Sequence, residues 1–306
     1  MPGVIRRAAL RPLAKINLDL RVLHKNPDGF HEIRTVFHTI SLADSLELEY
    51  QPARPKEIVL DDPASIPDNL VVRAAQATLD ALGIAGRLRM RLTKRIPMGG
   101  GLGGGSSDAA AVLLAVPTLA RRVLPLEETM RIAASLGSDV PFFLLGGAAV
   151  GAGRGAELYP LPDLAPEPLL VIVPEVRVST AEAYRALGRG SSPADPSGLE
   201  NFRSYVWALE QRRSAAAAGG ISANDFEASV FERHPQLGRI RARLAKLGAA
   251  GARLTGSGSA LVALFHSMAE RRRVEEQIEG DPVFRNCRVL RARLINRRSY
   301  RRQLGL

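Results

Sequence analysis

The run Pro97-Met98-Gly99-Gly100-Gly101-Leu102-Gly103-Gly104-Gly105-Ser106-Ser107-Asp108-Ala109-Ala110-Ala111 decides how this chain is read. Six of the seven positions from Gly99 to Gly105 are glycine. With almost every Cβ gone, backbone N–H groups can close around a large anion. Ser106 and Ser107 add hydroxyls and a candidate N-cap. The following Ala-Ala-Ala-Val-Leu-Leu-Ala, from Ala109 to Ala115, is a strong helix former that aims its positive dipole end back at the loop. Before the loop, Leu88 to Thr93 alternates apolar and polar residues as a strand does. Strand, glycine loop and helix in that order make a phosphate site.

The loop is neither of the two commonest glycine motifs. A Walker A loop ends in Gly-Lys-Ser/Thr, and here Gly105 precedes Ser106 with no lysine. The spacing Gly101, Gly103, Gly105 also misses the dinucleotide fingerprint, whose third glycine comes three residues after the second. A flexible linker would lack the flanking strand and apolar helix.

At 306 residues the chain has room for two domains. Nothing in it approaches the ~18 uncharged apolar residues of a membrane helix, so no membrane partner is expected. The start, Met-Pro-Gly-Val-Ile-Arg-Arg, lacks the apolar core of a secretion signal. Cys287 stands alone, which excludes an internal disulfide and a cysteine metal cluster. The expectation is a cytoplasmic protein, with monomer and homodimer both open.

The net charge of +11 raises the question of nucleic acid. The cations are 37 arginines and only 5 lysines, which resembles a coding bias. Eight of those arginines, with no acid, lie between Arg285 and Leu306. That tail carries one aromatic, Tyr300, and no nucleic-acid-binding module. It reads as a basic edge strand and tail, which would also draw in anionic substrates.

The pattern is that of an α/β (α+β) protein. A strand is expected over Arg11–Val22, a turn at Asn26-Pro-Asp-Gly29, and strands near Glu32–Ile40 and Asp44–Tyr50. Asn69–Leu82 reads as a helix capped by Asp68, and Glu127–Leu136 as a second, ended by Gly137. The proline-rich Pro160–Pro168 marks a boundary between domains 1–162 and 163–306. Beyond it come a buried strand, Leu169–Val173, a helix, Thr180–Leu187, and a loop, Ser191–Ser197. Helices are expected over Phe202–Ala218 and Val230–Leu247. Strands Ala252–Thr255 and Ala260–His266 flank a second glycine turn, Gly256-Ser-Gly258.

Strict alternation puts Lys15, Asn17 and Asp19 on one face of the first strand. Such a row is more often a solvated face than the floor of a polar site. Asp139, in Leu136-Gly-Ser-Asp-Val-Pro141, would by itself be a cap or turn residue. Beside a phosphate loop the same residues gain another meaning. Phosphoryl transfer needs an anion cradle, a cation for the transferring charge and a carboxylate near the acceptor hydroxyl.

Pro97–Ser107 resembles the phosphate loop of the GHMP kinases (galacto-, homoserine, mevalonate and phosphomevalonate kinases). Pro12-Leu-Ala-Lys-Ile-Asn-Leu18 resembles their first motif and Leu254-Thr-Gly-Ser-Gly-Ser-Ala260 their third. The triple-glycine loop, Asp28-Gly-Phe-His31 and Leu136–Pro141 point within that family to a branch whose acceptor is an alcohol carried on cytidine diphosphate. The resemblance runs from about Ala9 to Arg301. It implies a two-domain fold with the active site in the interdomain cleft, and ATP and Mg²⁺ as cofactors. By the same carry-over Asp139 is the general base and Lys15 steadies the developing charge. Pro97 through Ser107 bind ATP phosphate, Lys94 and Asn69 lie near adenine and ribose, and Ser107 touches Mg²⁺. Asn17, Phe30 and His31 contact the cytidyl substrate, and Tyr184 stacks on its base. Phe30 stands where the family usually has tyrosine, so stacking survives and a hydroxyl contact does not.

Overall fold

The computed structural model describes residues 4–188 and 196–304. It opens with strands β1 (Arg6–Leu10), β2 (Leu13–Lys25), β3 (His31–Ala43), β4 (Ser45–Pro52) and β5 (Glu57–Asp61). Helix α1 (Leu70–Ala81) and strand β6 (Gly86–Thr93) lead to α2 (Gly104–Ala120), α3 (Leu126–Leu136) and α4 (Val140–Leu145). Strands β7 (Ala148–Ala152), β8 (Glu157–Pro160) and β9 (Pro168–Pro174) follow. Next come helices α5 (Thr180–Ala186), α6 (Pro196–Arg212), α7 (Glu227–Arg233) and α8 (Pro235–Lys246). The chain ends with β10 (Gly251–Leu254), β11 (Leu261–Leu264), α9 (Met268–Ile278), β12 (Cys287–Arg293) and α10 (Arg297–Gln303).

Three four-stranded sheets result, ordered β1-β4-β6-β5, β2-β3-β7-β8 and β10-β11-β9-β12. In the first, Leu88, Met90 and Leu92 face inward while Arg87, Arg89 and Arg91 face out, the alternation of a half-buried strand. The inward face packs on α1 and α2 in one core cluster. Ala109, Ala110, Ala111 and Val112 are all buried, so α2 is a core helix with its first turn at the glycine loop.

Strand β2 is an edge strand whose free side is covered by other parts of the chain. Lys15 N–H donates to Leu102 C=O at 2.9 Å, and Asn17 N–H to Thr255 Oγ1 at 3.1 Å. Farther along, Leu20 N–H donates to Ala223 C=O at 2.9 Å. An edge that would otherwise invite a foreign strand thus holds the glycine loop and the second half of the chain together.

Several expectations are corrected. The strand expected over Arg11–Val22 is β2, which starts at Leu13 and runs on to Lys25; a further strand, β1, precedes it and is separated from it at Arg11-Pro12, where proline offers no ladder donor. Lys15, Asn17 and Asp19 are buried, not solvated, and a register shift between Asn17 and Asp19 interrupts the alternation: Lys15, Asn17 and Leu20 line one cavity, while Asp19 pairs with Arg21. Helix α1 is capped by Asn69, whose Oδ1 accepts from Val71 N–H at 3.0 Å; Asp68 sits in the left-handed region at φ 46°. Neither Ser106 nor Ser107 caps α2. Its N-cap is Gly103 at φ 69°, with both serines inside the first turn. Phe202–Ala218 is replaced by α6, which starts six residues earlier and ends at Arg212. The helix expected over Val230–Leu247 is broken at His234, because Pro235 cannot continue a helix from its N–H side. Of the loop expected at Ser191–Ser197, residues 191–195 lie outside the described residues, and Ser197 belongs to α6.

The basic tail begins as an edge strand: among the described residues β12 pairs with β9 alone, and Arg288, Arg291 and Arg293 are exposed. Then it crosses back. Tyr300 of α10 and Leu304 just beyond it are buried in the core cluster of the first sheet, so the tail packs on the first half of the chain. Among the described residues no helix is long and apolar enough to cross a membrane.

Candidate active site

A cavity of about 960 Å³ lies between the glycine loop, β2, the 26–31 turn and the second half of the chain. Lys15, Asn17, Phe30, His31, Gly101, Gly103, Ser106, Asp139 and Tyr184, which sequence reasoning picks from five separate segments, all line it.

The loop's shape comes from its glycines. Gly99, Gly101 and Gly103 lie at φ 73°, 78° and 69°, a left-handed alternation that side chains resist. A Cβ on Gly101 would lie 2.0 Å from Thr255 O, and one on Gly258 would lie 2.3 Å from Gly100 C. The loop and the second glycine turn therefore interlock backbone to backbone.

Asp139 stands at the start of α4, and its carboxylate makes no capping bond. It is one-third exposed and its Oδ2 lies 3.3 Å from Lys15 Nζ. Lys15 is almost sealed, with its side chain 4% exposed. Its Nζ donates to Asn17 Oδ1 at 2.9 Å and sits 5.2 Å above the Phe37 ring. Asn17 is fixed in turn: Nδ2 donates to Thr35 Oγ1 at 2.7 Å, which donates to Asp19 C=O at 2.6 Å. Thus a cation with a locked stem meets a carboxylate with one open side, in a cavity that Gly101, Gly103 and Ser106 of the glycine loop also line.

In the same lining the His31 and Tyr184 rings stack with centroids 4.9 Å apart, and Phe226 meets Tyr184 edge-on at 4.8 Å. Burial, with the nearby Asp139 charge adding to it, pushes the Tyr184 phenol up to about 12. Phe30 is half-exposed; the Arg154 guanidinium lies 3.8 Å from its ring centroid and pairs with Asp28 at 2.5 Å. Sequence reasoning missed Arg154, Lys25 and Arg185, cations of this lining, and Phe226. For Arg154 the signal was present: it stands between Gly153 and Gly155, in a turn that a surface arginine does not need.

Lys94 and Asn69 do not line this cavity. Lys94 Nζ is held by Asp44 and by Asp108, the latter at 2.6 Å, directly beneath Gly104. Asn69 spends Oδ1 on its helix cap, and its Nδ2 donates to Asp62 Oδ2 at 3.0 Å. It borders a separate hollow of about 460 Å³ with Asp62, Asp68 and Arg73. Leu70, next to Asn69 in the chain, packs against the loop: a Cβ on Gly105 would lie 3.8 Å from its Cδ1.

For Mg²⁺ the donor set is sparse. No group of three His, Cys, Asp or Glu side chains among the described residues is placed to hold a metal. Ser106 reaches the cavity, while Ser107 Oγ is buried without a partner. One protein hydroxyl fits an ion whose other ligands are phosphate oxygens and water.

The GHMP kinases N terminal domain matches residues 69–147, and the GHMP kinases C terminal domain matches residues 205–281. A 4-diphosphocytidyl-2-C-methyl-D-erythritol kinase of Solibacter usitatus is 55% identical over 293 residues, covering 94% of this chain and 90% of that protein. The chain belongs to the 4-diphosphocytidyl-2-C-methyl-D-erythritol kinases, a branch of the GHMP kinases. A crystal structure of a kinase of this branch superimposes with a TM-score of 0.76 at 36% identity, covering 94% of this chain and 99% of that one. Homoserine kinase from Cytophaga hutchinsonii has a TM-score of 0.74 over 96% and 95% of the two chains, but at 18% identity it shares the fold alone. The kinase branch and the GHMP fold expected from the sequence are both borne out.

Proposed function

We propose that this chain transfers the γ-phosphoryl group of ATP to the 2-hydroxyl of 4-diphosphocytidyl-2-C-methyl-D-erythritol, a step of non-mevalonate isoprenoid precursor synthesis. The observation that carries the reading is the Lys15–Asp139 pair at 3.3 Å, its carboxylate uncapped and open to the cavity. Residues Pro97 to Ser107 and the start of α2 present N–H groups to the phosphates. We assign the hollow beside Asn69 to the nucleoside of ATP. Lys94, spent on Asp44 and Asp108, supports the loop from below rather than reaching the base.

As the acceptor oxygen bonds to phosphorus, its proton passes to Asp139 and the bond to the ADP oxygen breaks. A carboxylate is a weak base for an alcohol, and phosphoryl transfer tolerates this because the hydroxyl acidifies only as the new bond forms. Lys15 offsets charge on the acceptor oxygen and holds Asp139 in place. Ser106 or Ser107 would hold Mg²⁺, which when bound neutralises charge on the β- and γ-phosphates. Asn17 and His31 orient the acceptor. The base packs on the aromatic wall of Phe30, His31 and Tyr184.

Asp139→Asn keeps size and polarity and removes the base. Its kcat is expected to fall by about 10²–10⁴-fold, with KM for both substrates nearly unchanged. Lys15→Met keeps most of the stem and is expected to cost a comparable factor. A folded Asp139→Asn enzyme with near-normal kcat would make Asp139 a turn residue only.

A further inference from the structure

Asn224 lies outside the cavity lining, yet its side chain ties two walls of the cavity together. It is 5% exposed, and the segment around it runs beside β2: Ser222 N–H donates to Leu18 C=O at 2.8 Å and Asp225 N–H to Leu20 C=O at 3.0 Å. Both Nδ2 hydrogens are used, one on Leu254 C=O at 3.0 Å and one on Gly256 C=O at 2.8 Å. Its Oδ1 accepts from Phe226 N–H at 3.0 Å.

Each partner leads to a different part of the site. A Cβ on Gly256 would lie 3.2 Å from Gly101 Cα and 3.6 Å from Lys15 Nζ, so the turn that Asn224 holds sets the floor of the phosphate loop. Phe226 backs Tyr184, and Tyr184 stacks on His31. Two donors and one acceptor at this reach are what a primary amide offers; a carboxylate offers no donor and would face two carbonyl oxygens.

We propose that Asn224 is a positioning residue that sets the phosphate loop and the aromatic acceptor wall in register through one amide. The inference rests on the kinase reading above. Because displacement of an ångström at a reacting centre costs about 10²-fold in rate, Asn224→Asp is expected to lower kcat by about 10–100-fold. It is also expected to raise KM for ATP and for the cytidyl acceptor together.

The test measures kcat and both KM values for the wild type, Asn224→Asp and Asn224→Ser, with the folded fraction of each fixed by circular dichroism. Serine keeps a donor and an acceptor at shorter reach and serves if the aspartate variant does not fold. Calorimetric binding of ADP to each protein gives a readout that does not depend on the acceptor. Weakened ADP binding with both KM values raised in folded protein supports the proposal. Wild-type constants in the folded fraction, or a rise in only one KM, overturns it. A wild-type protein that binds ADP but does not turn over the cytidyl acceptor overturns the substrate reading instead, and ADP binding then tests the Asn224 link to the loop alone.

Discussion

Asp139, just before α4, and Asp108, the fifth residue of α2, both stand near the starts of helices, and their surroundings differ. Asp139 is open on one side and faces the cavity. Asp108 is 1% exposed, with Oδ1 unpartnered and Oδ2 2.6 Å from Lys94 Nζ. Burial, reinforced by the Asp44 carboxylate, pushes Asp108 up to about 7 against the pull of Lys94. In the unfolded chain an aspartate titrates near ~3.9. Between those values the folded state binds the extra proton, so this group's stabilising contribution is fully present at low pH and is lost as pH rises toward 7. Asp108→Asn removes that dependence. Melting curves from pH 4 to 8 are expected to show the wild type losing stability relative to the variant up to about pH 7; a constant gap would contradict the assignment. Lys15, Asp139 and His31 were legible as site residues because each sits in a short motif. The confinement of Lys94 was not, since Asp44 lies 50 residues away and only the fold brings it near.

At the scale of elements, the glycine loop shows how much of a motif depends on what packs against it. Gly103 combines φ 69° with a crowded environment: a Cβ there would lie 2.9 Å from Phe143 Cζ and 3.0 Å from Lys15 Cγ. Gly103→Val is therefore expected to displace the lysine stem as well as strain the loop, and to abolish measurable ATP binding by calorimetry in a protein that still folds. Normal ATP binding by that variant would remove the loop from the phosphate site. Strand, loop and helix were readable here because periodicity and glycine spacing are local signals. The burial of β2 was not local. Alternation placed Lys15, Asn17 and Asp19 on one face, but the segments that close over β2 reach its backbone through Leu102, Ala223 and Thr255, distant in sequence. The break at His234-Pro235 was local and visible, and the apolar pattern running through it concealed the boundary.

Across the whole molecule, the two halves are fastened by a tail that returns to where the chain began. Tyr300 of α10 is 1% exposed, its hydroxyl donates to Phe143 C=O in α4, and a Cβ on Gly146 would lie 2.1 Å from its ring. The arginine excess of the tail gave no hint of this anchor, since one aromatic among eight arginines carries no period. Tyr300→Ala is expected to cost about 3–5 kcal/mol in urea unfolding, whereas neutralising the exposed Arg301 and Arg302 should cost less than about 0.5 kcal/mol. The fold is shared with homoserine kinase, so architecture alone does not choose the acceptor. Under the proposed function, the choice falls to the aromatic groups Phe30, His31, Tyr184 and Phe226 that line the same cavity as the Lys15–Asp139 pair. The most direct measurement is ADP release by the purified protein supplied with ATP, Mg²⁺ and one acceptor at a time: 4-diphosphocytidyl-2-C-methyl-D-erythritol, mevalonate or homoserine. Turnover is expected with the cytidyl alcohol alone; turnover of mevalonate or homoserine with none of the cytidyl alcohol would contradict the account.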